Sequence, residues 1–239
     1  MPTQEYLPPP ASRTILRDLS SFLRRPAVLR PAGLRRPGGW SALAVITALH
    51  VGAMLLVILP LIAFWQTLFA LPLPDAFGKL PAGWLLPVTL VAAPVLEEVI
   101  FRGWQSGRPR ALWLLACFAA FLVLAWQAKA VAPVALLGLL LGLAIAALAG
   151  WLWLRKRRAP SPVFARTYPA LFWAAALLFA AVHLLNYPST SLLSLPMVLP
   201  QLWAGLLLGF TRQRLGLPAA MLQHAVANCV SMALAMAGG

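Results

Sequence analysis

Long apolar runs separated by short polar stretches divide this 239-residue chain from about residue 40 onward. Spans of about 20 apolar residues fall at 41 to 66, 83 to 104, 111 to 127, 131 to 154, 168 to 186, 192 to 210 and 217 to 236. The third is short, and the sixth contains Pro196 and Pro200, so these two are the candidates for a broken or re-entrant helix. The pattern predicts an all-α fold, a polytopic transmembrane helix bundle of about seven spans, with a range of about six to eight.

The polar stretches test this count, because Lys and Arg favour alternate loops of a membrane protein. Arg13, Arg17, Arg24, Arg25, Arg30, Arg35 and Arg36 precede the first span, and Arg108 and Arg110 follow the second. Arg155, Lys156, Arg157, Arg158 and Arg166 follow the fourth, and Arg212 and Arg214 follow the sixth. The intervening loops hold only Lys79 and Lys129. This alternation predicts a cytoplasmic N-terminus and a C-terminus on the other side.

Composition sharpens the same picture. Hydrophobic residues make up 62% of the chain and charged residues 10%, against about 25% charged in a soluble domain. Mean hydropathy is +0.84. A formal net charge of +14 invites a nucleic-acid reading. The basic residues sit in loops between apolar runs instead of spreading over a polar face, so the expected partner is the lipid bilayer and no nucleic acid is expected.

Two regions follow: a basic Pro/Arg-rich segment over 1–39, expected to be cytoplasmic, and a helical membrane domain over 40–239. No cleavable signal peptide is expected, since the first 40 residues lack an apolar core and a small-residue cleavage site. Ile15, Leu16, Leu19, Phe22 and Leu23 recur at helical spacing, which leaves two readings open: a short interfacial helix on anionic lipid, or a disordered basic tail. Cys117 and Cys229 lie in apolar spans and read as small core residues, with no disulfide framework.

The chemistry concentrates at Glu97 and Glu98, adjacent carboxylates inside a predicted span of a chain with five acidic residues. Intramembrane acids are costly, which makes a functional role the default. Glu98 stands four residues before Arg102, the spacing and order that favour a helical ion pair. Glu97 points about 100° away and is left unpaired by that geometry. The competing reading makes both glutamates and Arg102 one buried cluster that only fixes packing.

Other spans carry polar groups that could meet Glu97. One holds His183, and the last holds His224 and Asn228 on one helical face. His50 reads as a hydrogen-bonded packing residue. Counting about 1.5 Å per residue from the nearest basic marker puts Glu97, His224, Asn228 and His183 at depths of roughly 17, 15, 21 and 26 Å. The first three lie near the middle of a hydrocarbon core about 30 Å thick. His183 comes out somewhat deeper.

These residues, Glu97-Glu98-x-x-Phe101-Arg102-Gly103, Phe179-x-x-x-His183 and His224-x-x-x-Asn228, resemble the three ordered motifs of the CAAX protease and bacteriocin-processing (CPBP) family. Its members are glutamate-type intramembrane endopeptidases related to the type II CAAX prenyl proteases. Gly205-Leu-Leu-Leu-Gly209, followed by Arg212 and Arg214, is similar to the family as well. One departure stands out: in the family the glutamate helix is followed, after a short basic loop, by the Phe-x-x-x-His helix, whereas here about 50 additional residues intervene, so 111–154 reads as an inserted transmembrane hairpin.

The expected activity is hydrolysis of a peptide bond in a membrane-embedded or lipidated protein or peptide, at a C-terminal tail or in a precursor. Glu97 suits a general base and His183 a group that helps hold the attacking water. The resemblance implies that His224 and Asn228 form the oxyanion site. Glu98 and Arg102 would brace the base. No cofactor is expected; two histidines and a glutamate are also a plausible zinc set, but His-Glu-x-x-His is absent. The alternative class is a non-enzymatic transporter or immunity-type binding protein using the Glu/His cluster as an ion or proton relay. Against it, no inverted repeat is visible and the Pro196/Pro200 segment has no counterpart in the first half. The Arg-rich loops and Ala/Leu/Pro-rich composition point to a bacterial inner membrane. Oligomeric state and substrate identity are not encoded in these motifs.

Overall fold

The computed structural model describes residues 14–75 and 81–237. Arg13 and Lys79, used above to trace loop charges, and the start of the 1–39 segment lie outside them. Among the described residues every regular element is helical. A short helix, α1, covers Ile15–Arg24. Seven helices then follow that are long and apolar enough to cross a membrane: α2 (Gly39–Phe69), α3 (Gly83–Ser106), α4 (Pro109–Trp126), α5 (Pro133–Leu154), α6 (Pro162–Asn186), α7 (Leu192–Arg214) and α8 (Leu217–Ala237). Their outward surfaces carry large exposed apolar side chains such as Leu56, Val134, Leu137 and Leu185. Surface of that kind is stable against lipid and not against water, so the chain is an integral membrane protein.

Proline positions shape the spans. Pro109, Pro133 and Pro162 each sit in the first turn of a helix, where a missing N–H breaks no hydrogen bond. Pro60 and Pro94 lie deeper, and each is preceded by a widened π turn, Met54–Ile58 in α2 and Val88–Ala92 in α3. The ring of a proline clashes with the carbonyl four residues earlier, and widening the ladder there relieves the clash. Pro196 and Pro200 do what the sequence suggested, since α7 opens as a 3₁₀ stretch, Leu192–Val198, before becoming α-helical from Leu199.

Loops after α3, α5 and α7 gather at one end of the bundle with the chain between α1 and α2, whose Ala32 and Leu29 amides donate to the Arg214 carbonyl and to Gln213 Oε1. At the other end, the Trp65 indole N–H donates to the Leu193 carbonyl and the Asp75 amide to that of Asn186. Basic and non-basic loops therefore lie at opposite ends.

The core joins α1, α2, α6 and α7 through Ile15, Leu19, Phe22, Ile46, Phe172, Leu207 and Phe210. The apolar side of α1 is directed into this core: Phe22 meets the edge of Phe172, their ring centroids 5.1 Å apart. Gly205 and Gly209 let α7 approach α6 closely; a Cβ at Gly205 would lie 3.3 Å from the Ala176 backbone. On its other side α7 meets α8, which also packs on α2 and α3. Helices α4 and α5 pack chiefly on each other.

Candidate active site

The π turn and Pro94 deliver the second half of α3 into the bundle, and that half carries Glu97, Glu98 and Arg102. Arg102 donates from Nη1 to Glu98 Oε1 at 2.9 Å, with both side chains almost wholly buried. The same oxygen lies 3.0 Å from His224 Nδ1 of α8. The guanidinium also lies over the Phe179 ring of α6, 4.0 Å from its centroid, a cation–π contact strengthened by desolvation. Glu98 is thus a hub tying α3 to α8, while Arg102 ties α3 to α6. Spacing anticipated the Glu98–Arg102 pair but not the contact to His224.

Glu97, one residue earlier, turns away toward a cavity of about 460 Å³ lined by residues of α2, α3, α6, α7 and α8. Two imidazoles converge on its Oε2: His224 Nε2 at 3.7 Å and His183 Nε2 at 4.0 Å. Both distances exceed a direct hydrogen bond. Glu97 Oε2 is buried and has no hydrogen-bond partner among the described residues.

The other ring nitrogen of each histidine sets what these Nε2 atoms present. His183 Nδ1 lies 2.6 Å from the Phe179 carbonyl, which can only accept, so Nδ1 carries the proton and a neutral His183 turns a lone pair toward Glu97. Both residues of the Phe-x-x-x-His motif thus take part in this arrangement, the Phe backbone orienting the imidazole and the Phe ring seating Arg102. His224 is held in the same way by Glu98, an acceptor when ionised. A neutral His224 presents a lone pair at Nε2, and it donates into the cavity only when both nitrogens are protonated. That refines the expectation of a simple N–H donor at this position.

Asn228 lines the same cavity, four residues along α8 from His224. Its Nδ2 donates to the carbonyl of Thr89, inside the π turn of α3, at 2.9 Å. This fixes the amide plane and leaves the second N–H on the same nitrogen for another acceptor. Asn228 therefore shares the wall with Glu97 while bonding to the neighbouring backbone. His183, which the count from basic loops put deepest, is at the level of Glu97, because α6 begins at Pro162 and its first residues lie in the basic end of the bundle.

Other residues line or support the cavity, of which the sequence had pointed to His50 alone, and only for packing. His50 is buried, lines the cavity and accepts at Nδ1 from Gln223 Nε2 at 3.2 Å. Gln223 Oε1 in turn accepts from the Thr211 hydroxyl. That network bears out the packing reading of His50 and also places it beside the site. Gln201 lines the cavity with a buried Oε1 lacking a partner among the described residues. The available signal was a Gln in an apolar span, which deserves the scrutiny given to an intramembrane acid. Among the described residues, no group of three or more His, Cys, Asp or Glu is arranged to hold a metal ion.

A family model, that of the type II CAAX prenyl endopeptidase Rce1-like proteins, matches residues 79–168 and 150–230. Together these matches run over more than half of the chain and include Glu97, Glu98, Arg102, His183, His224 and Asn228. No curated protein and no solved structure matches the chain.

Proposed function

The chain belongs to the Rce1-like family of type II CAAX prenyl endopeptidases, a family of proteases, and from that premise we propose that it hydrolyses a peptide bond within the membrane by a water that Glu97 activates. The carrying observation is the convergence of His183 and His224 on one buried oxygen of Glu97 at a cavity wall. Separations of 3.7 and 4.0 Å suit a bridging water. Such a water would donate one hydrogen to Glu97 Oε2 and the other to the lone pair of His183 Nε2, leaving an oxygen lone pair to attack the scissile carbonyl. Glu97 takes the proton as the C–O bond forms and passes it to the departing amine nitrogen as the C–N bond breaks.

The tetrahedral intermediate carries a negative oxygen. Asn228 has an N–H to offer it, and His224 a second when doubly protonated; donors of this kind are each worth about 10²- to 10³-fold in rate. Glu98 and Arg102 act through position, holding His224 and keeping α3 in register with α6 and α8. We assign this chemistry to the side chains alone, with no metal. The substrate is a membrane-embedded or lipidated protein or peptide cut in its C-terminal tail or in a precursor segment, and the basic loops face the cytoplasm, as in a bacterial inner membrane. On this reading α4 and α5 form a hairpin added to the protease bundle.

Co-expression with candidate prenylated tails, peptide precursors and C-terminal sorting helices tests the reading. A shortened product is expected with the intact chain and absent with Glu97→Gln. Cleavage by the purified chain should survive exhaustive chelation. Activity lost to chelation and restored by zinc would replace the water-and-glutamate mechanism with a metal-assisted one.

A further inference from the structure

A second cavity, of about 560 Å³, lies at the basic end of the bundle, and among the described residues it shares no lining residue with the proposed catalytic cavity. Its walls come from four parts of the chain: Val28–Pro31 between α1 and α2, Ser106 and Arg108 at the end of α3, Arg158–Pro160 after α5, and Arg212 with Leu217 at the α7–α8 junction. Arg108, Arg158 and Arg212 line it beside Arg30, which already has a contact of its own, and among the described residues no carboxylate does. Of the described acids, Asp18 pairs with Arg214 and Glu98 with Arg102.

Arg108, Arg158 and Arg212 bring like charges to one hollow, and a bound anion would offset their mutual repulsion. Arg212 is nine-tenths buried, and its Nε is fixed by the Arg102 carbonyl at 3.1 Å, so its remaining N–H groups are pre-positioned. Ser106 Oγ accepts from the Arg108 amide, which leaves its O–H available as a donor. Rigid planar forks converging from several elements match the several oxygens of a phosphate. The cavity also sits among the basic loops, the level at which a membrane presents phosphate at high density.

We propose that this cavity is a phosphate-binding site, occupied by the headgroup phosphate of an anionic phospholipid. It clamps the loop after α5 and the chain before α2 onto the ends of α3 and α7. Because Arg212 also holds the Arg102 backbone, the site adjoins the support of Glu98 without entering the reaction.

The test uses the full chain in nanodiscs of phosphatidylcholine, with or without phosphatidylglycerol, and separately with inorganic phosphate added to the phosphatidylcholine discs. Native mass spectrometry counts retained lipid, and thermal unfolding reads stabilisation. Phosphatidylglycerol should be retained by the intact chain and by the charge control Arg155→Gln/Lys156→Gln, whose positions lie outside the cavity wall. Retention should fall about tenfold or more in Arg108→Gln/Arg158→Gln, the loss expected when charge-assisted hydrogen bonds are removed. Arg158→Gln alone, on a loop, gives a smaller fall if the double variant is unstable. Stabilisation by inorganic phosphate that the double variant loses, without lipid retention, would keep the phosphate site and make its ligand soluble. Equal retention by all variants together with no response to phosphate would overturn the proposal.

Discussion

The bundle of α2, α3 and α6–α8 and the hairpin of α4 and α5 are both apolar enough to cross a bilayer, yet they use that property differently. In the most apolar window of α7, 39% of residues are buried, and in those of α4 and α5 none are. The bundle holds the buried Glu98, Arg102, Gln105, Gln213, Gln223 and His224, whereas the hairpin's internal polar contact is the Trp113 indole donating to the Ala146 carbonyl. Lipid gives no driving force for helix association by apolar area alone. Interlocking small residues and polar groups therefore mark the part of the protein whose geometry is specified, and a nearly uniform Leu/Ala surface marks the part that need only remain in the membrane.

Glu98→Ala leaves the Arg102 charge buried and His224 unheld, and should cost about 3–5 kcal/mol, read as a lower melting temperature in detergent together with loss of cleavage. Asn228→Ala removes a proposed oxyanion donor and should lower kcat by about 10²- to 10³-fold with little change in melting. Gly209→Val forces a side chain against the buried Phe172, since even a Cβ would lie 2.6 Å from its ring, and overpacking of that kind costs about 1–3 kcal/mol. In the hairpin, Leu141→Ala alters a side chain that is 61% exposed. Its melting temperature in nanodiscs should stay within the equivalent of about 0.5 kcal/mol of the parent, with turnover unchanged; a large loss there would erase the distinction between the two regions.

What the sequence made legible follows the same division. Length and hydropathy located all seven spans, and prolines marked where α7 would break, because these are local properties of the backbone. The Glu98–Arg102 pair was legible from spacing four residues apart on one helix. Contacts between helices were not: nothing in the local pattern says that His224 Nδ1 turns to Glu98, that Asn228 reaches the Thr89 carbonyl, or that α1 buries Ile15 and Phe22 in the core. Those depend on helix rotation and on the π turn at Val88–Ala92, which only tertiary packing sets. Gln223 and Gln201 were overlooked because an uncharged amide in an apolar run attracts less notice than an acid, though its burial raises the same demand for a partner.

The most direct test of the central claim is the single-turnover cleavage rate of purified Glu97→Gln beside its melting temperature. This change keeps size and shape and removes only the basic oxygen. A fall of about 10²- to 10⁴-fold is expected, the usual worth of general-base catalysis, with melting unchanged. A cleavage rate close to that of the parent protein would contradict it.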